Sequence, residues 1–194
     1  GLKYAASRDL GIIIMEPLRG GSLGLPEPPA VVADLWDRAQ TKRTPVEWAL
    51  RWVMDHPEVT TVLSGMNEET HIEENVRIAS SAYPESLTPE EHTLIQTASD
   101  TYKRLMKVDC TGCEYCIPCP EGVNIPGIFE SLNKLHLYKN EEEAKFIYAL
   151  RCSGMLSGKS EPVFASDCVQ CEECLEKCPQ GIDIPQFLDQ AAKD

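Results

Sequence analysis

Apolar and polar positions follow two periods along the first hundred residues. Ile12-Ile13-Ile14-Met15 is an unbroken apolar run, and Gly11–Met15 fits a fully buried strand. Val59–Leu63 is a second short, β-branched strand. The segments around them carry helical spacing: residues 2–8, 30–39, 44–55, 68–81 and 88–106. Thr44-Pro45-Val46-Glu47 and Thr88-Pro89-Glu90-Glu91 each have the form of a capping box with Pro at the first helical position. In the first of these helices Val46, Ala49, Leu50 and Val53 share one face, and Pro57 stops it. Glu16–Pro29 is a Gly- and Pro-rich loop. Strands alternating with helices imply parallel βα units. Two parallel strands can neither bury both their faces nor close a barrel, which takes about 250 residues. Residues 2–8 read as the end of a helix with no N-cap, so the chain is expected to be the tail of a longer protein.

The pattern changes at Asp109. Beyond it come a cysteine cluster, helices near 126–137 and 141–151, a Gly/Ser-rich link from Ser153 to Ser160, a second cysteine cluster and a short closing helix. The reading is therefore of two domains, 1–106 and 109–194. The second contains a repeat: Cys119-Pro120-Glu121-Gly122-Val123-Asn124-Ile125-Pro126 matches Cys178-Pro179-Gln180-Gly181-Ile182-Asp183-Ile184-Pro185. Both copies run from a cysteine through Gly and an Asn or Asp cap to a Pro that opens a helix.

Nine cysteines occur, and eight of them fall in two runs. The first run is Cys110, Cys113, Cys116 and Cys119, followed by Pro120. The second is Cys168, Cys171, Cys174 and Cys178, followed by Pro179. The second matches the bacterial ferredoxin spacing C-x2-C-x2-C-x3-C-P, and the first is one residue shorter in its last gap. Three thiolates two residues apart can wrap three corners of a 4Fe-4S cubane, and the fourth corner then needs a distant ligand. In paired-cluster proteins the fourth cysteine of each run serves the other cluster. The expected ligand sets are thus Cys110, Cys113, Cys116 and Cys178 for one cluster, and Cys168, Cys171, Cys174 and Cys119 for the other. Structural zinc is the competing reading, but it usually takes two separated pairs of thiolates. Disulfides fit such crowded spacing less well, and the implied compartment is reducing. Cys152 stands outside both runs and reads as a buried, inert thiol.

Composition narrows the field further. The chain carries 18 Lys and Arg against 31 Asp and Glu, a net charge of −13. Nucleic-acid binding, which wants a basic face, is excluded. The acidic surface is either simply solvated or a docking face for a basic redox partner. No apolar run approaches the 18 or more residues of a membrane span, and a cytoplasmic, membrane-free protein is expected. His56, His71, His92 and His136 read as surface histidines.

Two resemblances add to this. The interval of about 48 residues between Cys119 and Cys168, mostly helical by pattern, resembles the α-helical dicluster ferredoxin domains of succinate dehydrogenase-type and heterodisulfide reductase-type electron-transfer subunits. In the first half, Gly11–Gly21, Val59–Met66 and Glu74-Asn75 resemble the aldo/keto reductase family, of which one subgroup carries a C-terminal iron–sulfur domain. The implied fold is α/β: the last two βα units of a (β/α)8 barrel followed by a mostly helical dicluster domain. By this resemblance Met15, Glu16, Pro17 and Leu18 would lie beside a nicotinamide. Gly20 and Gly21 would let backbone N–H groups approach its pyrophosphate. Ser64, Gly65, Met66, Asn67, His71, Glu74 and Asn75 would hold the adenosine end of NAD(P). Many NADPH-using members have a Lys where Gly65 stands and an Arg where His71 stands, cations that would pair with the 2′-phosphate. Their replacement here, with Glu68 adjacent, leaves NAD or no nicotinamide as the alternatives. The family's catalytic Asp, Tyr, Lys and His belong to earlier barrel strands, so no catalytic residue is expected in this chain. The implied function is an iron–sulfur reductase acting on a small carbonyl or alcohol substrate and exchanging electrons with a redox partner protein. A non-enzymatic electron carrier and a domain merely stapled by its clusters are the alternatives.

Overall fold

The computed structural model describes residues 1–154 and 161–193. The chain divides into two compact units, Gly1–Thr101 and Tyr102–Asp194. Most of the Gly/Ser-rich link, residues 155–160, lies outside the described residues.

The first unit is helix-rich around a small parallel sheet. Helix α1 spans Leu2–Ala6 and strand β1 Ile13–Ile14. A single 3-10 turn at Ser22–Gly24 precedes α2, Ala30–Arg38, and α3, Pro45–Met54. Strand β2 is Thr61–Val62, followed by α4, Glu69–Ala79, and α5, Pro89–Leu105. The strands pair in parallel, with Ile13 opposite Thr61 and Ile14 opposite Val62. The expected strand at Gly11–Met15 is thus shortened and, contrary to the sequence reading, not buried: Ile13 is 60% exposed and Met15 73%. The two strands have only each other as described sheet neighbours, so the outward side chains of this apolar run meet no covering layer.

The core of this unit gathers around α3, where Trp48, Leu50 and Val53 are buried with Val32 and Ile78. The indoles of Trp36 and Trp48 stack at 5.3 Å between centroids, and the Arg43 guanidinium lies 4.5 Å over Trp48. The inward face of α3 is shifted from the expected one, because Glu47 and Trp48 are buried while Val46 and Ala49 are only half-buried. The cause is electrostatic. Glu47 accepts from Arg51 Nε at 2.8 Å and Arg77 Nη2 at 2.8 Å, and Arg43 Nε lies 3.8 Å away. With its carboxylate so engaged, only half of the first capping box forms, the Glu47 N–H donating to Thr44 Oγ1 at 3.1 Å. The second is complete: Glu91 N–H donates to Thr88 Oγ1 at 3.2 Å and Thr88 N–H to Glu91 Oε2 at 3.0 Å. His92, read as a plain surface residue, has its Nε2 3.0 Å from the buried Asp55 carboxylate.

Leu10, Ile13, Met15 and Leu63 leave an apolar sheet surface open, the arrangement that invites edge pairing between chains. Residues 1–105 expressed alone are therefore expected to aggregate or stay molten. A sharp, cooperative calorimetric melt of that fragment would contradict this.

The second unit is built on α6, Ile125–Tyr138, which packs against α7, Glu141–Cys152, and α9, Ile184–Ala191. A 3-10 turn at Ala165–Asp167 and a short helix α8, Glu173–Lys177, complete it. The sequence pattern did not predict α8. The two repeat copies fold alike. Gly122 and Gly181 both have left-handed backbones, with φ of 77° and 64°, which a side chain would resist. Their N–H groups donate to Cys119 O at 2.8 Å and Cys178 O at 3.1 Å. Asn124 and Asp183 then cap α6 and α9, accepting from Gly127 N at 3.1 Å and Gln186 N at 3.2 Å. The core of the unit is continuous, with Ile125, Ile128, Phe129, Ile184 and Leu188 at its centre and both cysteine runs against its margin.

Candidate metal centre

Both cysteine runs lie on loops whose backbone turns sharply on either side of the second cysteine. Gly112 and Glu114 flank Cys113 with φ of 69° and 64°, and Gln170 and Glu172 flank Cys171 with φ of 56° and 65°. Left-handed backbone costs a non-glycine residue roughly 1–2 kcal/mol, so three of these four positions carry strain that the loop shape demands. The turns leave Cys113 and Cys171 exposed and direct Cys116 into the core.

Two shallow hollows result, spanning about 330 and 380 Å³ with the solvent at their mouths included. Cys110, Cys113, Cys116 and Cys178 line the smaller, with Phe129 and Ile182 among its apolar walls. Cys119, Cys168, Cys171 and Cys174 line the larger, which Cys116 also reaches, with Pro118, Pro185 and Leu188 beside them. Ile125, the first residue of α6, borders both. Each hollow therefore meets three thiols from one run and the last thiol of the other. The repeat produces this exchange: Cys119 and Cys178 each sit at the start of the turn that leads into α6 or α9, and those two helices pack together.

The donor set suits a cluster better than a single ion. A zinc ion would draw four sulfurs to about 2.3 Å from one point. Burial first, and then the neighbouring Cys110, Cys113 and Cys174, push the Cys116 thiol up to about 11. Cys174 is raised in the same way, by burial and then by Cys168, Cys119 and Cys171. Thiols this crowded resist ionising together unless a cationic centre sits among them, and a metal deprotonates such thiols outright. The Gly112 N–H donates to Cys110 Sγ at 3.4 Å, the kind of backbone contact that supports a cluster sulfur ligand. The residues present thus fit iron–sulfur groups of the 4Fe-4S type. Cys152 is buried in the core away from both hollows, and burial raises its thiol as well, which keeps it unreactive.

Asn133 was missed by the sequence reading. It is a buried amide on α6 that accepts from Lys107 N and Val108 N, both at 2.9 Å, and donates to Val108 O at 2.7 Å. It fixes the backbone two residues before Cys110. The available signal was a polar residue on the apolar stripe of Phe129 and Leu132. Asn133→Ala leaves three backbone groups without these partners and is expected to cost about 2 kcal/mol. Chemical denaturation monitored by the iron–sulfur absorbance checks this.

The residues assigned to a nucleotide lie in the first unit. Because β1 and β2 are parallel, Met15–Gly21 and Ser64–Asn67 both follow the same, C-terminal end of the sheet. Asn75 Nδ2 donates to Ser64 Oγ at 3.1 Å, which joins two members of the set, and Thr44 Oγ1 donates to Glu74 Oε1 at 2.7 Å. Met15, Gly65, Met66, Asn67 and His71 are exposed, and Pro17 and Leu18 half-buried. The Gly20 N–H donates to Glu16 Oε2 at 2.6 Å. That donor, expected to approach a pyrophosphate, serves the loop's own carboxylate. Gly21 keeps the left-handed backbone, φ 88°, that such an approach would use.

Among the described residues no helix is long and apolar enough to cross a membrane. No curated protein and no solved structure gives a significant match to the chain. Residues 32–100 match the aldo/keto reductase family, and residues 109–182 match a 4Fe-4S dicluster domain. The chain thus carries one segment similar to the aldo/keto reductase family and, after it, one similar to a 4Fe-4S dicluster domain.

Proposed function

We propose that this chain is the electron-transfer end of an iron–sulfur reductase of the aldo/keto reductase type. Two 4Fe-4S clusters are held by exchanged ligands, Cys110, Cys113, Cys116 and Cys178 on one and Cys168, Cys171, Cys174 and Cys119 on the other. The observation that carries this reading is that the first four border one hollow and the second four, joined by Cys116, border the adjoining one. Bound there, the clusters supply one-electron storage and transfer. The protein's share is to hold the sulfurs in two fixed sets, to wall them from water with Ile125, Phe129 and Leu188, and to leave one edge of each set at the surface, at Cys113 and Cys171. Carbonyl or alcohol chemistry belongs to a complete (β/α)8 barrel, with NAD(P) over Met15–Gly21 and Ser64–Asn75 and a small carbonyl substrate at its mouth. Nicotinamides transfer hydride and clusters transfer single electrons, so direct exchange between the two needs a converter such as a flavin. Otherwise the clusters serve a separate redox partner protein.

A carrier without enzymatic activity is the second reading, and one observation favours it: the Gly20 N–H is occupied by Glu16. Iron and sulfide analysis with EPR of anaerobically purified protein tests the cluster assignment. About eight irons per chain and a signal that appears on reduction and disappears on reoxidation are expected; colourless protein holding zinc would refute it. NAD(P)-dependent turnover by a protein with the complete barrel, lost when Glu74 and Asn75 are replaced by Ala, separates enzyme from carrier.

A further inference from the structure

The repeat makes the two hollows similar in shape, yet their polar linings differ in kind. Around Cys110, Cys113, Cys116 and Cys178 the polar lining consists of Thr111, Gln180 and a single carboxylate, Glu114. Threonine and glutamine are neutral and can donate hydrogen bonds. Around Cys168, Cys171, Cys174 and Cys119 every polar side chain is ionic: Glu121, Glu172, Glu173 and Lys177. The walls of both hollows are almost wholly apolar, and the residues that border them carry these charges outward at the rim: a net −2 around the larger and −1 around the smaller. Backbone donation differs in the same sense. The Gly112 N–H reaches Cys110 Sγ at 3.4 Å, whereas among the described residues its counterpart at Gln170 makes no such bond to Cys168.

Both differences act on the same quantity. Reducing a cluster adds one negative charge. A donor pointed at a sulfur ligand stabilises that charge, and nearby carboxylates oppose it. We propose that the two centres are electronically unequal, with the Cys110, Cys113, Cys116 and Cys178 centre at the higher potential. The first electron to enter the unit then comes to rest there. This rests on the cluster assignment given above. The step takes one electron from an external reductant such as dithionite and breaks no bond. The two sites adjoin through Cys116, which borders both, and Ile125, so an electron entering at the second site has a short path to the first. Glu172 and Glu173 act as tuning residues that hold the second centre down, and Lys177 partly offsets them.

The test is an anaerobic redox titration followed by EPR, on protein first shown to contain about eight irons per chain. Two separate midpoints are expected. The double variant E172Q/E173Q raises the lower midpoint and leaves the upper one in place; Lys177→Gln lowers the lower one further; Glu114→Gln moves only the upper one. These side chains are exposed, so the shifts shrink as salt is added, which a merely structural disturbance would not do. A single midpoint shared by both clusters overturns the proposal. So does a lower midpoint that responds to Glu114→Gln and not to E172Q/E173Q. Iron content at half the expected value refutes the cluster assignment itself and is seen before the titration begins.

Discussion

Cys178→Ser is expected to remove the cluster wrapped by the other run. Cys178 stands after Cys168, Cys171 and Cys174 in sequence, but its sulfur borders the hollow of Cys110, Cys113 and Cys116. Iron content should fall by about half, from about eight to about four per chain. The thiols of Cys110, Cys113 and Cys116 should then become open to iodoacetamide, while Cys168, Cys171 and Cys174 stay protected. Peptide mass mapping after alkylation reads both outcomes. Cys119→Ser should give the mirror result. Labelling of a variant's own run would show that each run closes on itself and that the exchange is wrong.

The second large effect belongs to the first unit. Glu47→Gln is expected to destabilise it by about 3 kcal/mol, the cost of breaking a buried ion pair and leaving its partner charges uncompensated. Of the three arginines around Glu47, Arg77 is more than half exposed, so its pair contributes little. Arg51 is only 13% exposed and carries most of the cost, whereas Arg43 keeps its closer partner Glu91 at 2.5 Å. Urea unfolding followed by tryptophan fluorescence measures this unit alone, because all three tryptophans, Trp36, Trp48 and Trp52, lie within it. The same pair sets a pH dependence. Burial pushes the Glu47 carboxyl up, but hydrogen bonds and charge from Arg77 and Arg51 outweigh it and hold the group below its ordinary value of 4.5. A depressed carboxyl stabilises the fold above that value, and the contribution is lost as pH falls through the lower, folded one. The stability gap between the parent protein and Glu47→Gln should therefore be widest near neutrality and close in acid. A gap that stays constant down to the acid transition would show that the cost is one of packing.

Much of the second unit was legible beforehand because its chemistry is local. Two cysteines separated by two residues must lie within one loop turn, whatever surrounds them. The repeated Cys-Pro-x-Gly-x-Asn/Asp-Ile-Pro carries its own turn and its own cap. Helices were predictable in the first unit for the same reason, since Thr44 and Thr88 announce their starts. The errors arose where a residue's environment comes from distant parts of the chain. Ile12–Met15 looks like a buried strand by composition, but a strand is buried only by neighbours, and here it has one. Glu47 looks like a reciprocal cap, but Arg77, thirty residues on, takes one of its oxygens. Asn133 was passed over because its partners lie twenty-five residues back.

The sequence by itself determined the soft-sulfur donor set, its division into two runs and the helices that follow each, because spacing and capping act over a few residues. Only the tertiary structure decided that Cys116 and Ile125 border both hollows, and that Thr111, Gln180 and Glu114 flank one while Glu121, Glu172, Glu173 and Lys177 flank the other. Those outcomes depend on α6 and α9 coming together, and side-chain packing over sixty residues of separation is not written in any local pattern.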